Sequence, residues 1–331
     1  MPRPIFTTMN KTIETIAPRL TELIIRKIET LAEEWHKPWV ADTSGLPRNL
    51  RGTPYRAGNI LLLAMLTELE KYRVPVFMTF KQAKENGLNI RSGQSAFPIY
   101  FWKMYIRHKE THKQIDMEVY WQLSTTEKLQ YDLRPILRYY PVFNIDQTDM
   151  AEKDPARYAE LTKAAEPVDH SDGFTCTGID ALLEPDGWHC PIELEYGDKA
   201  LYCHTLDKIV CPLKRQFLSG VDFYDTLLHE IAHSTGHSIR LNRPPHLIFG
   251  DSAYAREELV AELTSALCGA ILGLAVTPRT ENAACLKSWL SQMKEEPTYL
   301  FDILVDVNKA ARMIIDRIEP DTHWEPYAQA A

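Results

Sequence analysis

The sequence predicts an α+β protein in two parts, mixed helix and strand over residues 1–150 and mainly helix over 151–331, and three observations carry that expectation. Apolar residues recur at helical spacing near the start of the chain and again through four long stretches beyond residue 220. The segment Pro98 to Arg107 is dense in Tyr, Phe, Trp and Ile and precedes a second β-rich run. Between Asp146 and Asp172 the composition turns polar and acidic with little periodicity, which marks the junction.

Taken in order, Pro18 to about Glu34 reads as an amphipathic helix through Leu20, Leu23, Ile24, Ile28 and Leu31, with Pro18 acceptable in a first turn. A loop punctuated by Pro and Gly follows. Asn59 to about Lys71 is a well-buried helix, and Phe80 to Asn86 a short one closed by Gly87. Pro98 to Arg107 and Ile115 to Trp121 read as a β-hairpin around the polar turn HKETHK. In the back half, Ala200 to His204 and Lys208 to Cys211 are short strands. Val221 to Ser234, Tyr254 to Leu272, Ala283 to Lys294 and Tyr299 to Ile318 are helices.

With 45% apolar and 25% charged residues, the 331-residue chain has the balance of a folded soluble protein. Its longest apolar run, Ile60 to Leu66, falls far short of the roughly 20 residues of a membrane span, and no apolar signal core stands near the start. Six cysteines without a C-x-x-C pair argue against a disulfide framework and for a reducing cytoplasm. The net charge of -8 conceals a division: residues 1–115 hold 18 basic and 10 acidic side chains, and the remainder 19 and 35. A basic front and an acidic back suggest a polyanion-binding part joined to a separate module.

The chemistry is concentrated in TLLHEIAHSTGH. Residues four apart share a helix face, so His229 and His233 can direct two imidazoles at one point with Glu230 beside them. Zinc accepts such nitrogens, usually takes three protein ligands in catalytic sites, and acidifies water that a neighbouring carboxylate can deprotonate. The pattern therefore implies one Zn2+ per chain in a hydrolytic centre, with Glu230 as the base. Ser219 and Asp222 start the helix as in a capping box and Gly236 stops it. For the third ligand, REELVAEL offers Glu258, with Glu257 as the alternative and Glu262 placed to hold an imidazole or the ligand helix. Tyr254 and Arg240, between the two helices, are candidates for oxyanion or substrate contacts. His189, Cys190, Cys203, His204 and Cys211 match no common zinc spacing, and the cysteines read better as buried thiols.

Motifs in both halves, in order, resemble the ArdC-type antirestriction proteins of conjugative plasmids. In front these are KPW (37–39), LPRN (46–49), G-x-P-Y-R (52–56) with Asn59, and T-F-K-Q-A-K-x-x-G (79–87) with Arg91 and Gly93. Behind, they are D-K-I-x-x-P (207–212), H-E-I-A-H-x-T-G-H (229–237) and E-E-L-V-A-E (257–262). One departure is Ala57, where the family usually has Gly after the Tyr-Arg pair. The resemblance implies an N-terminal domain binding single-stranded DNA, a C-terminal zincin-like metallopeptidase domain acting on an unknown protein, and protection of incoming DNA from restriction. Sequence-tolerant strand binding needs cations for phosphates and aromatic faces for bases. The front half offers Trp39, Arg48, Arg51, Tyr55, Arg56, Asn59, Lys81, Gln82, Lys84 and Arg91. Phe80 and Trp102, taken singly, read as core. The rival to a DNA-tethered peptidase is a non-catalytic DNA-shielding protein with a structural metal, or an acidic decoy of restriction enzymes.

Overall fold

The computed structural model of the chain describes residues 5–33, 45–163, 174–244, 252–274, 283–296 and 298–319, with the side chains of 5–11, 30–33 and 283–287 left aside. Trp39 lies outside the described residues. The first helix, α1 (Ile5–Glu33), is longer than its apolar stripe foretold and carries Pro18 inside it. Its stripe, Ile16, Leu20, Ile24 and Ile28, is buried. β1 (Arg48–Asn49) runs parallel to β2 (Val76–Thr79), with α2 (Gly58–Leu69) between them and α3 (Phe80–Glu85) following. β3 (Phe97–His108) pairs on one side with the two-residue β4 (Gln114–Ile115), and α4 (Met117–Gln122) and α5 (Thr125–Lys128) lead to β5 (Tyr131–Asn144). The sheet order is β1-β2-β5-β3-β4, antiparallel except at β1 and β2.

Two expectations fail here. The long partner of β3 is β5, in register from Phe97 opposite Val142 to His108 opposite Tyr131. Pro135 and Pro141 disguise that strand. Pro98 faces Pro141, and two prolines cannot exchange N–H···O bonds, so this is a non-hydrogen-bonded position; Pro135, six residues away, falls on the same alternation. Of the expected strand Ile115 to Trp121, only Ile115 is strand, in β4 on the other edge of β3. The remainder is α4, where Tyr120 packs edge-on against Tyr131 at 6.2 Å.

The acidic stretch after residue 146 is folded onto the front half as far as it is described. α6 (Met150–Lys153) and α7 (Pro155–Leu161) continue from a short 3-10 turn, and the acids find local partners. Asp149 accepts from the Asn89 backbone and side chain at 2.7 and 2.8 Å, Asp146 from the Arg73 backbone at 2.7 Å, and Asp154 caps α7 through the Arg157 N–H. Then α8 (Thr177–Asp180) precedes a three-stranded sheet ordered β6-β8-β7, made of β6 (Ile192–Glu195), β7 (Leu201–Cys203) and β8 (Lys208–Pro212). The helices α9 (Gly220–Ser234), α10 (Ser252–Leu272), α11 (Ala283–Glu295) and α12 (Tyr299–Ile318) follow the expected spans closely.

The overall architecture is α+β, mixed in front and mainly helical behind, and one apolar core runs through both. Leu61, Leu63, Phe77 and Tyr100 from the front belong to the same cluster as Leu227, Leu259, Trp289 and Leu304 from the back. At the join, Asn308 Oδ1 accepts from the Gly58 N–H at 2.7 Å, its Nδ2 donates to the Tyr100 hydroxyl at 3.2 Å, and the Tyr100 and Phe301 rings lie 5.2 Å apart.

Ala57, at the start of α2, holds φ 54° and ψ -149°, a conformation left almost entirely to glycine. Such strain costs roughly 1–3 kcal/mol, part of which glycine's extra unfolded-state freedom would cancel. Ala57→Gly is therefore expected to stabilise the chain by about 1 kcal/mol in urea unfolding. A loss of stability would show that the position carries no strain.

Candidate metal centre

Ser219 caps α9 by accepting from the Asp222 N–H at 3.1 Å, and Leu227, Leu228, Ile231 and Ala232 sink the helix into the core. This fixes the two histidines beneath α10. His229 and His233 approach each other through Nε2 at 3.0 Å. Glu258 completes a triangle, its Oε2 3.6 Å from His229 Nε2 and its Oε1 3.5 Å from His233 Nε2. These three buried residues are the one group among those described whose ligand atoms all lie within metal-holding reach, 4.8 Å. The five described cysteines form no disulfide.

Two more carboxylates stand behind the rings. Glu262 Oε1 stands 4.0 Å from His229 Nδ1, and Glu257 Oε1 3.3 Å from His233 Nδ1. Glu257 thus faces the far side of the ring from Glu258, and Arg243 grips it with Nε at 2.7 Å and Nη2 at 2.5 Å. Arg243 also donates to Thr235 Oγ1 at 2.7 Å and to the Ala232 carbonyl at 2.9 Å, tying the end of α9 to α10. A Cβ on Gly236 would lie 2.8 Å from Arg243 Nη2, so the glycine clears the path of the guanidinium as well as ending the helix. Neither Arg243 nor the Glu257–His233 contact is marked by any motif in the sequence. Tyr254 hydrogen-bonds Glu258.

The electrostatics suit a cation. Four carboxylates, Glu230, Glu257, Glu258 and Glu262, are buried around the two imidazoles, and Arg243 is buried with them. Burial disfavours the charged form of His233, yet Glu258, Glu257 and Glu230 outweigh it and raise its pKa to about 9. Burial likewise acts to raise both glutamates. The charge of His233 nonetheless holds Glu258 well below the usual carboxylate range, and Arg243 holds Glu257 down at about 2. Two imidazole nitrogens and one carboxylate held this way match the ligand chemistry of a divalent transition metal.

Other expected site residues are placed less favourably. Arg240 donates to Asp207, the Tyr202 hydroxyl and the Ser234 carbonyl, which engages four of its five N–H groups; it clamps the β7–β8 turn to the end of α9. In the front half, Asn59 is buried and bonds both the carbonyl and N–H of Tyr100, and Gln82 closes a capping box with Thr79. Tyr55 packs edge-on against Phe77 and donates to its carbonyl. Arg91 is forked onto Glu152 at 2.6 and 2.8 Å, and Arg48 reaches the Leu161 carbonyl. All five make contacts within the fold. Arg51, Arg56, Lys81 and Lys84 stand exposed, and Phe80, expected in the core, is 53% exposed with Lys84 Nζ 5.6 Å from its ring centre. Trp102 does pack against the core.

A family model described as the N-terminal domain of anti-restriction factor ArdC matches residues 14–143, and one described as a zincin-like metallopeptidase matches 180–303. The crystal structure of the metal-free antirestriction ArdC protein from plasmid R388 aligns with a TM-score of 0.65 at 27% identity, covering 94% of this chain and 98% of that one. The chain joins an ArdC N-terminal domain to a zincin-like domain. The Mn(II)-bound form of the R388 ArdC protein aligns equally well, with a TM-score of 0.65 at 26% identity over 92% of this chain and 99% of that one. The DNA primase TraC of Escherichia coli is 30% identical over 302 residues, 90% of this chain but 27% of the primase. The chain thus spans about a quarter of that curated relative. Its back half is a zincin-like domain, which implies a metal site. No described helix is long and apolar enough to cross a membrane.

Proposed function

We propose that this chain is a zinc-dependent metallopeptidase tethered to single-stranded DNA, which shields the DNA of a mobile element from restriction in the cytoplasm by hydrolysing an unidentified protein. The buried cluster of His229, His233 and Glu258 beside Glu230 carries the reading. A zinc ion held by these three would polarise the scissile carbonyl and acidify water. Glu230 would take the proton from the attacking water and pass it to the leaving amine. Glu257 orients His233 through Nδ1 and is kept in place by Arg243, and the nearby Glu262 adds negative charge behind His229. Imidazole donors favour zinc over manganese. The acidic surplus around the pair supports retention of such a cation, and a structural site alone has no use for Glu230.

For the front half, 1–150, the reading rests on the basic charge and the match to the ArdC N-terminal domain. Two measurements test the whole. Hydrolysis of casein by the zinc-loaded chain should vanish on chelation and return with zinc. Affinity for mixed-sequence single strands should fall linearly on a log–log plot with salt, at a slope of about -0.7 per phosphate neutralised. Salt-independent binding would contradict a phosphate-tracking surface.

A further inference from the structure

We infer that the single strand lies on the outer face of the β3–β5 hairpin, with its bases on an aromatic platform formed by Phe101, Tyr105 and Tyr140. The inference rests on the DNA-binding reading and names the surface that serves it. In β3, Tyr100 and Trp102, with Leu137 opposite, pack into the core. The alternate residues face the other way. There Phe101 lies opposite Arg138, Lys103 opposite Ile136, Tyr105 opposite Arg134, and Arg107 opposite Asp132. Phe101 and Tyr140 stack at 5.0 Å with their planes 10° apart, and Tyr140 is 40% exposed.

The face has the composition that sequence-tolerant strand binding requires. Four cations lie on this face, Lys103 and Arg107 on β3 and Arg134 and Arg138 on β5, each pair four residues or about 13 Å apart along its strand. The acids beside them among the described residues are Asp132, 3.9 Å from Arg134, and Asp116, which lines one depression with Lys103 and Arg138. Lys103, Arg107 and Arg138 have no ion-pair partner among the described residues, in contrast to Arg91, which Glu152 neutralises. Two depressions flank Tyr105, one lined by Lys103 and Arg138 and the other by Arg107 and Arg134. Aromatic rings for any base and cations on both sides for phosphate fit a single strand, because paired bases would hide the stacking faces. Among the residues expected on the front loop, several are instead locked into the fold, which leaves this face the richer surface.

The test titrates the full chain into a labelled mixed-sequence single strand. Phe101→Leu with Tyr140→Leu, and separately Lys103→Ser with Arg138→Ser, should each weaken binding by roughly tenfold to a hundredfold. Arg51→Ser with Arg56→Ser should do less than either. A strand carrying 5-bromouracil should photo-crosslink the unaltered chain at Phe101, Tyr105 or Tyr140, which needs no variant to fold. Crosslinks confined to the 48–91 loop, with both hairpin pairs binding like the parent, would overturn the surface while leaving DNA binding intact. Absence of binding by the parent chain at any salt would overturn the DNA reading itself.

Discussion

Glu230→Gln is expected to lower peptide hydrolysis by roughly 10² to 10⁴-fold, the usual contribution of a positioned general base. The substitution keeps the shape of a side chain that is 5% exposed within α9 and leaves His229, His233 and Glu258 untouched. Metal content, unfolding and strand affinity should therefore match the parent. Protection of DNA in cells then separates the rival functions. Lost protection ties shielding to hydrolysis. Full protection by a hydrolytically dead chain would mean that the chain shields DNA by occupying it.

Arg243→Met is expected to destabilise the metal-free chain by about 3–5 kcal/mol, because it leaves Glu257 buried and charged without its bidentate partner. The effect carries a pH signature. With a folded pKa near 2 against an ordinary 4.5, Glu257 contributes stability that is fully present above about 4.5 and is lost as pH falls through 2. The variant should lose that contribution, so its stability should fall less between pH 6 and pH 3 than the parent's. Urea unfolding across that range checks both statements. A cost under about 1 kcal/mol would place the order of the site elsewhere.

The helices carrying the site were legible because each buries a continuous apolar stripe, and the spans of α9, α10 and α12 follow from that stripe within about two residues. What escaped has particular causes. β5 hides behind Pro135, Pro141 and three basic or acidic residues in alternation, since its outward face is solvated and its prolines sit where no ladder bond is needed. Glu257 and Glu258 are neighbours in sequence but about 100° apart around the helix, so their division between the outer and inner ring nitrogens of the histidines awaited the rotation of α10. Arg243 comes from a turn beyond α9 whose path no periodicity records. Gln82 was recoverable: T-x-x-Q at 79–82 is itself a capping-box pattern, which gave its side chain a local role before any DNA.

His229, His233 and Glu258 are expected to hold one metal ion, and elemental analysis of purified chains decides the point. One zinc is expected per parent chain, with its loss in His229→Ala, a sharp weakening in Glu258→Gln, and a smaller effect of Glu257→Gln, of roughly 10- to 100-fold. A full equivalent of tightly bound zinc in His229→Ala, or loss in Glu257→Gln with retention in Glu258→Gln, would contradict it.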